Sequence, residues 1–319
     1  MIKSIAEVGL PVDEKLEIKK NRILPENVLS SIDDMKRISV VTGIHGDELE
    51  GQYVCFELQR RIEQNRDCLA GIVDIYPAMN PLGIDSITRG IPAFDLDMNR
   101  LFPGDINGSM MEYVAARIME DVAGSDCVLD IHASNIYLTE IPQIRINELH
   151  QDMLVPLAET ANVDFIWVHE TSTVLESTFA YSLNDTGTPV LVVEMGVGMR
   201  ITQSYGNQMV DGIFGLMERM GIWNGEVNPV RKPIISRNPE DVSYLNASVG
   251  GVFIPAIQHG AKMKKGELIG QIVDPLCGEV LDEVCAPEDG MLFTIRDYPI
   301  VVEGSLMGRL LKKEVCGYE

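Results

Sequence analysis

Five short apolar runs punctuate the first two-thirds of the chain, separated by stretches with helical periodicity. The runs are RISVVTG (37–43), GIVDIYPA (71–78), CVLDIHA (127–133), VDFIWVH (163–169) and PVLVVEMG (189–196). Each is too short for an ordinary globular helix and carries apolar residues at successive positions, the pattern of a strand buried on both faces. The stretches 47–65, 109–123, 148–161 and 202–221 instead place apolar residues on one helical stripe. Strands alternating with helices bury their faces most simply in a largely parallel or mixed sheet covered by helices, so the expected fold class is α/β.

The texture changes near residue 225. NGEVNPVRKPIISRNPED is rich in Pro, Asn and charge and reads as a connector. Beyond it, GGVFIPA, GELIGQIV, GEVLDEVCAP, GMLFTIRD and GSLMGRLL are short strands punctuated by glycine, with no helical pattern. We therefore expect a catalytic α/β domain over 1–228 and a small all-β domain over 229–319. A length of 319 residues suits that division.

Composition narrows the partners. A formal charge of −22 repels phosphate backbones, which excludes nucleic acid as an expected partner. No window approaches the roughly 18 continuous apolar residues of a membrane helix. MIKSIAEVGLPVDEK lacks the apolar segment of a secretion signal, so a soluble, cytoplasmic protein is expected. The six cysteines form no C-x-x-C pair, as for reduced thiols rather than a disulfide framework or a thiolate-bound zinc.

Four motifs sit at the C-terminal ends of expected strands or just beyond, the edge where open α/β sheets bind ligands. In GIHGDELEG, His45 and Glu48 stand three residues apart, with Asp47 as the expected N-cap of the following helix. Imidazole and carboxylate are ordinary zinc ligands at about 2.0–2.2 Å. A histidine in a tight turn is the plain alternative. In LDIHAS, His132 ends an apolar run and would supply a third ligand, against the alternative of a satisfied core histidine. Two His and one Glu with an open fourth position is a catalytic rather than a structural zinc arrangement. In VVEMG, Glu194 is either a solvent-facing strand end or a general base and acid. In RGIPAFDLDMNRLFPG (89–104), Asn99 and Arg100 form a donor pair suited to a carboxylate, Arg89 is a candidate to polarise a carbonyl, and Asp97 could accept the free N–H of His45. A surface loop is the alternative for that segment.

Taken in order, GIHGDELEG, DLDMNRLFPG, LDIHAS and VVEMG resemble the succinylglutamate desuccinylase/aspartoacylase family, relatives of the zinc carboxypeptidases, over about residues 37–225. The resemblance implies a zinc-carboxypeptidase-like mixed central sheet flanked by helices, followed by a small barrel-sandwich-like β domain. It implies one zinc per chain on His45, Glu48 and His132, with Glu194 as the catalytic carboxylate. Asn99 and Arg100 match the family's grip on a substrate carboxylate, and Arg89 lies where a carbonyl-polarising arginine is found. Aspartoacylases carry a further arginine shortly before the catalytic glutamate. STFAYSLNDTGTPVLVVEMG has none, which speaks against a dicarboxylic substrate and leaves Arg145 and Arg200 as spare candidates.

The implied activity is zinc-dependent hydrolysis of the amide of a small, carboxylate-bearing N-acylated amino acid. A carboxypeptidase of short peptides, an esterase and a metal-free binding protein on the same fold are the alternatives. His150, His169 and His259 are expected to do nothing catalytic, and the Met-rich stretch 209–220 to pack in the core. The sequence leaves the choice between monomer and homo-oligomer open.

Overall fold

The computed structural model describes residues 1–26, 31–92, 94, 96–170 and 176–317. The chain opens with a hairpin that the sequence reading did not anticipate, β1 (Ile2–Gly9) and β2 (Lys15–Ile23). Its turn holds Val12 and Asp13 both at positive φ, 64° and 62°. Two such residues in succession mark a primed turn, but Asn-Gly is the usual signal for one, and a valine there conceals it.

The five apolar runs all become strands. They are β3 (Arg37–Thr42), β4 (Ile72–Tyr76), β5 (Cys127–His132), β7 (Phe165–His169) and β8 (Val190–Gly196). Between β5 and β7 lies an unanticipated strand, β6 (Leu138–Asn147), whose Pro142 falls within a register shift. The expected amphipathic stretches form α1 (Glu50–Gln64), α3 (Met110–Val122), α4 (Gln151–Ala158) and α6 (Gln203–Arg219). Two shorter helices, α2 (Pro81–Ser86) and α5 (Phe179–Asp185), were not foreseen.

Strands β4, β3, β5 and β8 run parallel in that order, with β2 antiparallel on β4 and β6 antiparallel on β8, so the sheet is mixed. Side chains alternate across it. Val40, Leu129, Leu191 and Val193 face a core shared with α1, α4 and α6. Val41, Val128 and Val190 face one shared with α3 and α5. Met209 and Met217 of α6 are fully buried, as expected of core packing.

The C-terminal strands are β9 (Ile234–Ser236), β10 (Val242–Asn246), β11 (Gly251–Pro255), β12 (Ala261–Met263), β13 (Leu268–Asp274), β14 (Glu279–Cys285), β15 (Gly290–Arg296), β16 (Ile300–Val301) and β17 (Leu306–Lys312). A helical turn, α7 (Lys313–Cys316), follows them, a small departure from the expected all-β texture. β14, β13, β11 and β16 form a separate antiparallel sheet. By contrast, β15 pairs with β6, and β17 and β10 follow, so the main sheet runs without a break into the C-terminal part. The textural boundary near 228 thus falls between α6 and strands that re-enter the same sheet.

The hairpin is tied to the sheet by buried charge. Lys20 is 2% exposed and reaches Asp74 at 3.1 Å, Asp121 at 2.6 Å and the Tyr76 hydroxyl at 3.3 Å. Arg22 grips Asp74 with two bonds of 2.8 and 2.6 Å. Burial pushes the Asp74 carboxyl up, but Arg22 and Lys20 outweigh it and hold the group below its usual range. Asp74→Ala, which takes both bonds from Arg22 and leaves the buried Lys20 with Asp121 as its remaining carboxylate, is expected to cost roughly 3–5 kcal/mol in urea unfolding at neutral pH. Because the folded carboxyl is the stronger acid, the stabilisation is present above about pH 3.9 and declines as pH falls further. The gap between wild type and variant should therefore narrow only in acid.

Candidate metal centre and active-site cavity

β3 ends at Thr42 and the chain turns sharply through Gly43, at φ +70°. Gly46 presses on the next loop, where a Cβ would stand 2.0 Å from the Gly83 carbonyl carbon, so no larger residue fits. His45 and Glu48 lie on this turn, closed by a Glu48 N–H to His45 carbonyl bond of 3.4 Å. This corrects the expectation that Asp47 caps a helix with Glu48 in its first turn. Helix α1 starts at Glu50, with Leu49 at the N-cap. Glu50 is buried and accepts the Thr202 N–H at 2.7 Å, which locks the start of α1 to the start of α6. The two candidate ligands are thus presented by a tight turn rather than by a strand and a helix.

β5 lies beside β3, with Ile131 opposite Thr42, and delivers His132 to the same point. One ligand atom from each of His45, Glu48 and His132 lies within 4.8 Å of the others. Glu48 Oε1 is 2.9 Å from Nδ1 of His45, and Oε2 is 2.9 Å from Nδ1 of His132. The outer nitrogens are held by carboxylates, His45 Nε2 by Asp97 Oδ1 at 3.1 Å and His132 Nε2 by Asp130 Oδ2 at 3.1 Å. Both rings therefore turn Nδ1 inward and anchor Nε2 outward, the disposition of metal-bound imidazoles oriented by an acidic partner.

The electrostatics fit a cation. Burial lowers the proton affinity of both rings, yet Asp130 and Glu48 raise His132 well above its ordinary value, and Glu48 and Asp97 raise His45. Burial alone would push the Glu48 carboxyl up, but the two imidazoles hold it far below the usual range. A position that attracts protons this strongly, with two imidazole nitrogens and a carboxylate converging on it, suits a divalent metal.

Parallel pairing of β5 and β8 sets Glu194 opposite His132. Burial raises its carboxyl to about 7, Arg145 opposes that, and Glu140 adds to it. Arg145 Nη1 lies 3.3 Å from Glu194 Oε1. A cavity of about 690 Å³ joins the cluster and Glu194 to Arg89, Asn99, Arg100 and Arg145. Asn99 accepts the Phe179 N–H at 2.9 Å through Oδ1, which leaves its NH2 group as the donor, and Arg100 bonds the Asn99 carbonyl at 2.8 Å. Arg89 is half-exposed and lies 2.8 Å from Glu48 Oε1. Ala93 and Asp95 of the 89–104 segment lie outside the described residues.

His45, Glu48, Arg89, Asn99, Arg100, His132, Arg145 and Glu194 thus line one cavity, and Asp97 contacts His45 beside it. Arg200 does not line it. It is exposed and faces Asp297 at 3.7 Å. His150 and His169 also line the cavity, while His259 bonds the Tyr205 hydroxyl. The sequence reading missed Asp130, although residues two apart on a strand share a face and LDIH carries that signal. It also missed Glu140, Tyr244 and Arg309, which line the cavity from other strands and which no local pattern marks.

The chain matches the succinylglutamate desuccinylase/aspartoacylase catalytic domain over residues 34–220. It is 27% identical over 270 residues to the N-alpha-acetyl-L-2,4-diaminobutyric acid deacetylase of Halomonas elongata, covering 82% of this chain and 77% of that protein. Among solved structures, a succinylglutamate desuccinylase from Silicibacter sp. TM1040 superposes with a TM-score of 0.80 at 19% identity, covering 98% of this chain and 95% of that one. The product-bound ectoine utilization protein EutE (DoeB) from Ruegeria pomeroyi gives 0.78 at 18% identity, covering 96% and 93%. At these identities the two structures speak for the fold.

Asp130→Asn is expected to weaken metal binding about 10–100-fold without unfolding the protein, measured by competition with a chromogenic chelator. Unchanged affinity would remove Asp130 from the site.

Proposed function

The chain belongs to the succinylglutamate desuccinylase/aspartoacylase family, and on that premise we propose that it is a zinc-dependent deacylase of small N-acylated amino acids, with one zinc per chain. The observation that carries the proposal is the pairing of two inward-turned imidazoles on Glu48 with a high-pKa carboxylate, Glu194, at the adjacent strand end. His45, Glu48 and His132 would hold the zinc, and Asp97 and Asp130 would orient its histidines. Zinc held by these residues would supply Lewis acidity, the chemistry that makes water more acidic and a carbonyl more electrophilic.

The remaining steps belong to the chain's own groups. Asn99 and Arg100 hold the substrate carboxylate, so the amide lies between Glu194 and the cluster. Glu194 accepts a proton from water as the water oxygen bonds to the acyl carbon. The C–N bond then breaks, and Glu194 returns that proton to the departing amine, yielding a carboxylic acid and the free amino acid. A carboxyl raised toward neutrality can both take and give a proton near physiological pH. Arg89, beside Glu48 at the cavity wall, is placed to steady the carbonyl oxygen as charge gathers on it.

The deacetylase relative makes N-acetylated amino acids, including N-acetyl-L-2,4-diaminobutyric acid, the first compounds to test. A panel of N-acetyl and N-succinyl amino acids, dipeptides and simple esters should show turnover confined to the acylated amino acids, whereas preference for dipeptides would make the protein a carboxypeptidase. On the best substrate, Glu194→Gln should lower kcat by about 10²–10⁴-fold while metal content by plasma mass spectrometry stays at the wild-type level. A fully active Glu194→Gln would rule out this role for the carboxylate.

A further inference from the structure

We infer that Arg309, on β17 in the C-terminal part of the chain, is a positioning residue for Glu194 that acts through Glu140 and Arg145. The inference rests on the proposed role of Glu194 as the proton-transferring group.

Glu140 is fully buried and accepts from three side chains. Arg309 Nη1 donates at 2.6 Å, Arg145 Nη2 reaches its two oxygens at 3.0 and 2.8 Å, and the Thr294 hydroxyl donates at 3.1 Å. The other arm of Arg145, Nη1, extends to Glu194 Oε1 at 3.3 Å. The four charged groups thus form a chain of alternating sign, Arg309–Glu140–Arg145–Glu194. Both guanidinium carbons lie 5.8 Å from the Trp167 ring, which supports them from one side.

The stoichiometry of charge makes Arg309 matter. With it, each carboxylate has a guanidinium partner. Without it, Arg145 alone must serve two. Both line the cavity, but Glu140 has no exposed surface, whereas the Glu194 side chain is 15% exposed and can be solvated. An unpaired charge costs most where burial is greatest, so Arg145 would settle on Glu140 and release Glu194. The contact of Arg145 Nη1 with Oε1 of Glu194 steadies the carboxylate at the cavity wall. Because β15 and β17 extend the main sheet from β6, the last long strand of the chain is mechanically fixed to this point.

Arg309 also lines the cavity, so direct substrate contact is the competing role, and kinetics separates the two. Using the best N-acetyl amino acid of the panel, Arg309→Gln is expected to lower kcat by roughly 10–100-fold with KM essentially unchanged, as for a misplaced reacting group. Adding Glu140→Gln removes the competitor for Arg145, so the double variant should recover much of the lost kcat. Arg309→Lys, which keeps the charge but not the fork, should fall between and serves if Arg309→Gln does not fold. A crystal structure of the single variant should show Arg145 withdrawn from Glu194, a readout independent of turnover. A raised KM with kcat intact, unchanged kinetics, or a kcat loss that Glu140→Gln does not rescue would each overturn the inference. Glu194→Gln assayed alongside separates the premises: if it is active, the reading of Glu194 falls, and if it is inactive while Arg309→Gln is normal, only this inference falls.

Discussion

A buried carboxylate between two imidazoles is the constraint on which the site depends. Moving Glu48 out of water costs several kcal/mol unless partners repay it. Its oxygens meet Nδ1 of His45 and of His132, the Ala133 N–H at 3.1 Å and Arg89. Those partners come from the turn after β3, the end of β5 and the loop after α2, so they meet only if β3 and β5 are neighbours whose ends are level. The ladder supplies that, with Thr42 opposite Ile131. The tightness of the Gly43–Gly46 turn follows from the same demand, since His45 and Glu48 must both face back over the sheet edge.

From there the sheet acts as a ruler. Parallel pairing sets Glu194 beside His132, and antiparallel pairing sets Arg145 of β6 beside Val192 of β8, on the face from which it reaches Glu194. The shift in register between Glu140 and Gln143 brings Glu140 opposite Gly196. Gly196 itself, at φ +68°, is crowded by Glu50, with a Cβ falling 2.0 Å from its Oε1. A buried acid at the start of α1 and a glycine at the end of β8 therefore fit each other, and the helix that follows the His45–Glu48 turn is held against the strand that carries Glu194.

What could be read from the sequence follows from how local its cause is. β3, β5 and β8 were legible because burial on both faces makes them continuously apolar. β6 was not, because it carries Pro142, Glu140 and Arg145, which look like loop chemistry until cross-strand partners satisfy them. The β1–β2 hairpin was hidden by a turn without glycine. His45, Glu48, His132 and Glu194 were legible as an ordered set at strand ends. Arg309 was not, since its partner Glu140 lies 169 residues away and only the sheet joins them.

The last step concerns charge. The chain as a whole is at −22, which should repel a carboxylate-bearing substrate. The cavity is a different environment. Four arginines, Arg89, Arg100, Arg145 and Arg309, line it against four acids, Glu48, Asp130, Glu140 and Glu194. Glu140 is fully engaged by Arg145 and Arg309, and Glu48 and Asp130 face the two histidines. A dication at the cluster would shift this balanced lining to net positive, in a recess where low-dielectric walls focus the field. The acidic exterior would then aid solubility, while the metal and the arginines set the sign that the substrate meets.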